Sequence, residues 1–303
     1  MFEPIILAQI LWTGIATAAP FVLLTVGFAL TLKVTGLWNF AQAGMMAIAF
    51  YAMFFALNFM GLPLIGAVVL AVLLTGAASL VTEVWGLQVL RERRSSSLTF
   101  FIFTLILSEF VIYVITLLLG TEPQTLYKSI LSPVRIIAGI AVSDWDILGV
   151  ALTAVSLLAL WLFMSRTREG QFLTAVADNA RLAELYGISA RRAYRVTAII
   201  AALFIVAAMY LIGSHGGVVP NSPLELILTA VIGTLLGGIG RVFAAGAASV
   251  FLALMQSFSI LFIGSRWQNL LLYGFLFAAI LVFPRGVRMP RFRWAAARRY
   301  GRR

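Results

Sequence analysis

Apolar residues run through this chain in long unbroken blocks rather than in alternation, and polar residues gather at the breaks between them. The blocks fall at about Ile5–Leu32, Phe40–Met60, Leu62–Val84, Leu98–Leu119, Ile147–Met164, Val196–Ile212, Leu224–Leu236, Val242–Ile263 and Gln268–Phe283. Most approach the ~20 residues a helix needs to cross a hydrocarbon core of about 30 Å, where every peptide group must be bonded within its own segment. The pattern predicts an all-α fold, a polytopic transmembrane helical bundle of 8–9 spans forming a single domain over residues 1–303. A membrane β-barrel is excluded, because its strands alternate. The count turns on Leu224–Leu236, which is short and ends at Gly237, Gly238 and Gly240. A full crossing gives nine spans with the N-terminus outside, and a re-entrant segment gives eight. The first block is over-long, with Gly14, Pro20 and Gly27 as points of bending or tilt. It lacks the basic lead and small-residue cleavage site of a signal peptide, and is read as a retained helix.

Composition agrees: 62% of residues are hydrophobic and 11% charged, with a mean hydropathy of +1.03. The formal net charge of +11 would point to nucleic acid in a soluble chain, so its placement matters more than its sign. Arg91, Arg93 and Arg94 follow the third block. Arg166, Arg168, Arg181, Arg191, Arg192 and Arg195 lie in the hydrophilic stretch Ser165–Arg195, and a further arginine run fills the tail Pro284–Arg303. Gly213–Pro223 has no Lys or Arg. The positive-inside rule puts the three basic regions in the cytoplasm and the last loop outside, so the charge reads as orientation in a lipid bilayer, with no nucleic-acid partner.

Catalytic chemistry is poorly supplied. The chain has no cysteine and one histidine, His215, which removes disulfides, thiol chemistry and a multi-His metal site within one chain. No nucleophile elbow, zinc-binding His-Glu-x-x-His pair or close acid dyad falls in the spans; Asp144 and Asp146 read as an exposed pair at a helix start, and His215 as a turn residue of an outer loop. The only lysines, Lys33 and Lys128, do not follow a phosphate-binding glycine loop. No cofactor is expected, and any ATP must be bound by another chain. Glu109 is the acid well inside a span, where it is protonated, paired with another helix, or lining a wet path. Asn39 and Gln42 place amides near the inner end of the second span, as path residues or as helix caps. Gly237, Gly238 and Gly240 provide a hinge on one reading and close helix packing on the other.

The hydrophilic stretch holds the strongest pattern. Thr174–Ile188 has helix formers at its centre, an Asp178-Asn179 start able to cap, and Gly187 where a helix stops. Leu182, Leu185 and Tyr186 share one face at i, i+3, i+4 spacing. The segment reads as a short amphipathic helix, lying at the interface or docked in a groove of a partner.

This segment resembles the cytoplasmic coupling region of the permease subunits of branched-chain amino-acid ABC importers, and the order of motifs is similar to that of their shorter, first-type permease. Arg168-Glu169-Gly170 leads into Ala175, Asn179, Ala183 and Gly187-Ile188 at the family's spacing. Trp38-Asn39-Phe40-Ala41-Gln42-Ala43-Gly44 resembles the family's lead-in to its second span, with Trp for Leu and the glycine displaced by one position. Ala230-Val231-Ile232-Gly233 through Gly237-Gly238-Ile239-Gly240, and Phe283-Pro284-Arg285-Gly286, match two later signatures. The resemblance implies an ABC importer permease fold and divided labour: a second permease subunit, two ABC ATPase subunits and an extracytoplasmic solute-binding protein. It implies that Ala175, Asn179, Ala183, Glu184, Gly187 and Ile188 couple this chain to the ATPase. It leaves Asn39, Gln42, Glu109, Gly237, Gly238 and Gly240 as translocation-path candidates, with no metal and no catalytic residue. An ion-coupled secondary transporter is the alternative, resting on Glu109 and the broken seventh block.

Overall fold

An apolar segment withdrawn from water must bond its own peptide groups, and the apolar blocks are helices almost throughout. The structure is a computed structural model describing residues 4–127, 134–259, 261, 270, 273, 274, 277, 278 and 281. Helix α1 (Pro4–Thr35) is followed by α2 (Ala41–Asn58) and by one continuous rod made of α3 (Leu64–Val81), a π-helical segment (Thr82–Leu87) and α4 (Gln88–Glu92). Then come α5 (Ser97–Leu119), a hairpin of β1 (Val134–Ile137) and β2 (Ile140–Ser143), α6 (Asp144–Arg166), α7 (Arg168–Leu185), α8 (Ala190–His215), α9 (Ser222–Gly237) and α10 (Val242–Ser259). Among the described residues 7 helices, the α3–α4 rod counted once, are long and apolar enough to cross a membrane. The 16 residues of α9 rise only roughly 24 Å, which is why this block looked short. The last expected span, Gln268–Phe283, lies largely outside the described residues, and Lys128 and the tail Pro284–Arg303 lie wholly outside them.

Helix α1 is the hub, in contact with α6, α7, α8, α9 and α10. Its most apolar stretch is 78% buried, those of α2 and α8 are 72% and 61% buried, and those of α3, α5 and α6 only 17% each. Small residues let the hub helices close up, as apolar helices must when lipid is as oily as their own side chains. A Cβ on Gly27 would lie 3.3 Å from that of Phe204, and one on Gly246 would touch Val22 and Val26. Ser249 of α10 donates to the Thr25 hydroxyl of α1 at 2.7 Å, and Gly233 of α9 lies so close to both that any side chain would collide. Thr153 of α6 donates to the Ala19 carbonyl of α1 at 3.1 Å. Helix α1 continues through Pro20, which forgoes one backbone bond.

Cap chemistry sets several ends. The Ser96 hydroxyl accepts from the Thr99 amide at the start of α5. Ser143 and Asp146 form a capping box at α6. Between α5 and α6 on one side and α8 and α9 on the other, the Gln124 and Val218 backbones pair at 3.1 and 2.8 Å. Trp145 meets the ring of Tyr127 at a tilt and that of Tyr210 edge-on, and burial, with Tyr210 beside it, pushes the Tyr127 phenol above its ordinary range.

The segment between α5 and α6 contains the hairpin, and the Gln9 side-chain amide of α1 bonds both the amide and the carbonyl of Ala141 on β2. One expectation needs correction. His215 is not a turn residue. Helix α8 runs on past Ile212, and His215 is its last residue, held by the Leu211 carbonyl at 2.9 Å and by Asp146 at 3.3 Å.

Candidate coupling segment and polar cavity

The segment between α6 and α8 is shaped by its own side chains. Thr167 accepts from the Gly170 amide at 3.0 Å to start α7. Gly170 is obligatory there, since a Cβ would strike the backbone of Phe163 and Met164. The helix begins at Arg168, earlier than Thr174, but the expected Asp-Asn start is present as an internal restart. Asn179 leaves the helical region (φ −160°, ψ 101°), and its side-chain oxygen accepts from the Leu182 amide at 3.0 Å. The end is a Schellman motif: Gly187 takes φ +79°, its amide bonds Glu184 O at 3.0 Å, and the Ile188 amide bonds Ala183 O at 3.0 Å.

Burial divides the segment in two. Leu173, Val176 and Ala183 are buried, and Ala175 and Ile188 pack partly against the core. The expected apolar face is bare: Leu182 is 51% exposed, Leu185 84% and Tyr186 79%. Glu184 is exposed beside them. Ala175, Asn179, Ala183, Gly187 and Ile188 therefore anchor and terminate the helix, and Leu182, Glu184, Leu185 and Tyr186 near its end face outward.

Asn39 and Gln42 come together. The Asn39 side chain accepts from the Ala41 amide at 3.1 Å as a turn residue leading into α2. Gln42 is buried and donates from Nε2 to the Thr31 hydroxyl at 2.8 Å, while its Oε1 has no partner among the described residues. Both line a polar cavity of about 20 Å³ together with Thr35, Ser79, Thr82, Glu83 and Tyr194, room for about one water molecule. Glu83 is the acid at the end of the third apolar block. It is 5% exposed within the π-helical segment, and Arg91 bonds both its carboxylate oxygens.

The other path candidates lie elsewhere. Glu109 is on the exposed face of α5 with Ile106, Phe110 and Tyr113, near the middle of the span. Gly237 touches α10, and a Cβ there would strike the backbone of Ala244 and Ala245. Gly238 and Gly240 take φ +91° and +86° in the turn that follows. Close packing and turn geometry therefore account for these three glycines.

A family model described as branched-chain amino acid transport system, permease component, matches residues 10–281. The high-affinity branched-chain amino acid transport system permease protein BraD of Pseudomonas aeruginosa is 25% identical over 290 residues, covering 92% of this chain and 94% of its own. The permease protein LivH of the corresponding system of Escherichia coli is 23% identical over 293 residues, with the same coverage of 92% and 94%. Among solved structures, PsaBC from Streptococcus pneumoniae in complex with Fab shares the fold at a TM-score of 0.50 and 17% identity, over 90% of this chain and 91% of that one. With a helical membrane fold, a shaped segment between α6 and α8 and a family match over most of its length, this chain belongs to the permease components of branched-chain amino acid transport systems.

Proposed function

We propose that this chain is the membrane subunit of an ATP-driven importer for branched-chain amino acids or related small solutes. It lies in the cytoplasmic membrane with residues 165–195 and the tail 284–303 on the cytoplasmic side. A second permease chain completes the path, two ATPase subunits bind and hydrolyse ATP, and an extracytoplasmic binding protein delivers the solute. This chain contributes positioning and movement, with no cofactor of its own.

The observation that carries the reading is the bare face of α7. A helix fixed by Asn179, Gly187, Ala183 and Ile188 yet leaving Leu182, Leu185 and Tyr186 in the open is shaped to enter a partner's groove. Glu109 supports a chain-to-chain path. A carboxylate at mid-span is costly against lipid, so the exposed face of α5 is assigned to the second permease chain, with Glu109 on the path. Asn39 and Gln42 lie at its inner end, and Gly237, Gly238 and Gly240 define the joint between α9 and α10.

Co-expression with the ATPase subunits tests it. Leu185→Arg and Tyr186→Glu, both at exposed positions, are expected to abolish co-elution of the ATPase while the permease stays folded. Ala183 is buried, so a charge there would confuse docking with folding. If vesicles holding this chain alone accumulate leucine on an ion gradient without ATPase, the reading is overturned in favour of a secondary transporter.

A further inference from the structure

The ion pair of buried Glu83 with half-buried Arg91, at the end of the third span, has no part in the function proposed above. Arg91, besides bonding Glu83, lays its guanidinium over the ring of Tyr194, 4.1 Å from the centroid. The next residue, Glu92, pairs with Arg191 at 3.2 Å. Helix α4 is therefore tied at two points to the first turns of α8, and α8 begins directly after the Gly187-Ile188 stop of the coupling helix.

Glu83 and Tyr194 also stand between two spaces. On one side is the cavity with the Gln42 oxygen, unpaired among the described residues. On the other is a groove lined by Arg181 and Glu184 of α7. The π-helical segment makes the arrangement possible. Glu83 and Arg91 are 8 positions apart, which in a regular helix sets them about 80° apart round the axis; one inserted residue gives Arg91 the place of an i+7 neighbour, about 20° away. Such segments are an extra residue held against the regular ladder, and a shift by one residue removes or restores them.

We propose that Glu83, Arg91 and Tyr194 are positioning residues that form a joint, so that α4 and the first turns of α8 move as one body when α7 is displaced and carry that displacement into the third span. The proposal rests on the reading of α7 as the segment that docks on the ATPase. A buried carboxylate suits the purpose because it has one well-paired arrangement and is strongly penalised when its partner leaves. The contact with Tyr194 needs an aromatic ring and not its hydroxyl.

That distinction supplies the test. The chain has no cysteine, so spin labels can be placed at Val89 and Arg195, both exposed, in the complete complex with its ATPase subunits. The 89-to-195 distance is expected to show one narrow peak with and without nucleotide, in the unsubstituted chain and in Tyr194→Phe. In Tyr194→Leu and Arg91→Met the peak is expected to broaden or split between nucleotide states, with the ATPase still co-eluting. A distance that changes with nucleotide in the unsubstituted chain, or stays narrow in both disruptive variants, overturns the joint alone. Failure of the ATPase to co-elute with the unsubstituted chain overturns the docking reading as well.

Discussion

Gly44 of α2 rests against the backbone of Ser108 of α5: a Cβ at position 44 would come 3.2 Å from the Ser108 Cα and 3.3 Å from the Cβ of Val111. Ser108 is wholly buried, and the next residue, Glu109, is carried round to the outer face. Gly44→Val is expected to wedge the two helices apart at a cost of about 1–3 kcal/mol, with Gly44→Ala milder. Thermal unfolding in detergent reads the difference, and an unchanged midpoint for Gly44→Val would show that α2 and α5 are not in contact there.

At Glu109 the chemistry of the second permease chain is the variable. Glu109→Gln keeps the hydrogen-bonding atoms and is expected to retain the paired permease complex. Glu109→Leu removes them and is expected to reduce pairing by about tenfold, the equivalent of ~1.4 kcal/mol. Co-purification of tagged chains measures both. Equal recovery from the two variants would move Glu109 off the chain-to-chain face.

The α7 caps are expected to act locally. Asn179→Ala removes the acceptor for the Leu182 amide and Gly187→Ala forces a side chain into φ +79°, each costing roughly 1 kcal/mol. Hydrogen exchange at residues 180–188 should quicken while the amides of α1 stay protected. Uniformly faster exchange along the chain would mean that the segment is part of the global core.

The glycines after α9 are expected to separate by mechanism. Gly237→Val must push α10 away, because the obstruction is the backbone of Ala244 and Ala245. Loss of folded, monodisperse protein is the expected result. At Gly240 nothing lies within 4 Å of the place a Cβ would occupy, so Gly240→Ala costs only the strain of its positive φ, about 1–2 kcal/mol. Equivalent behaviour of the two in size-exclusion chromatography would contradict this division.

Hydrophobic blocks made the helices readable because a span needs little more than length and apolarity, and their order is as expected through α10. Helix α7 was readable in its caps, Asn179 and Gly187, since each does its work within a few residues of itself. What the sequence concealed involves distant partners or a break in helical period. Glu83 and Arg91 are 8 positions apart, beyond the i, i+4 spacing by which a helical ion pair is recognised, and the intervening π-helical segment interrupts the regular helical period between them. Tyr194 is more than a hundred positions from Arg91 in the chain, and only the fold sets it beside Arg91. The hairpin was hidden for another reason: its 4-residue strands are too short for alternation to stand out between two apolar helices.

The bare side of α7 also bears on the life of the newly made chain. Leucine and tyrosine side chains turned to water are what folding quality control and proteolysis act upon. On the proposed assembly, a copy made in excess of its partners would carry an adhesive handle on α7, prone to self-association and to early removal. Balanced synthesis of the subunits would then govern how much transporter a cell holds, and yield on overexpression should rise when the docking partner is supplied.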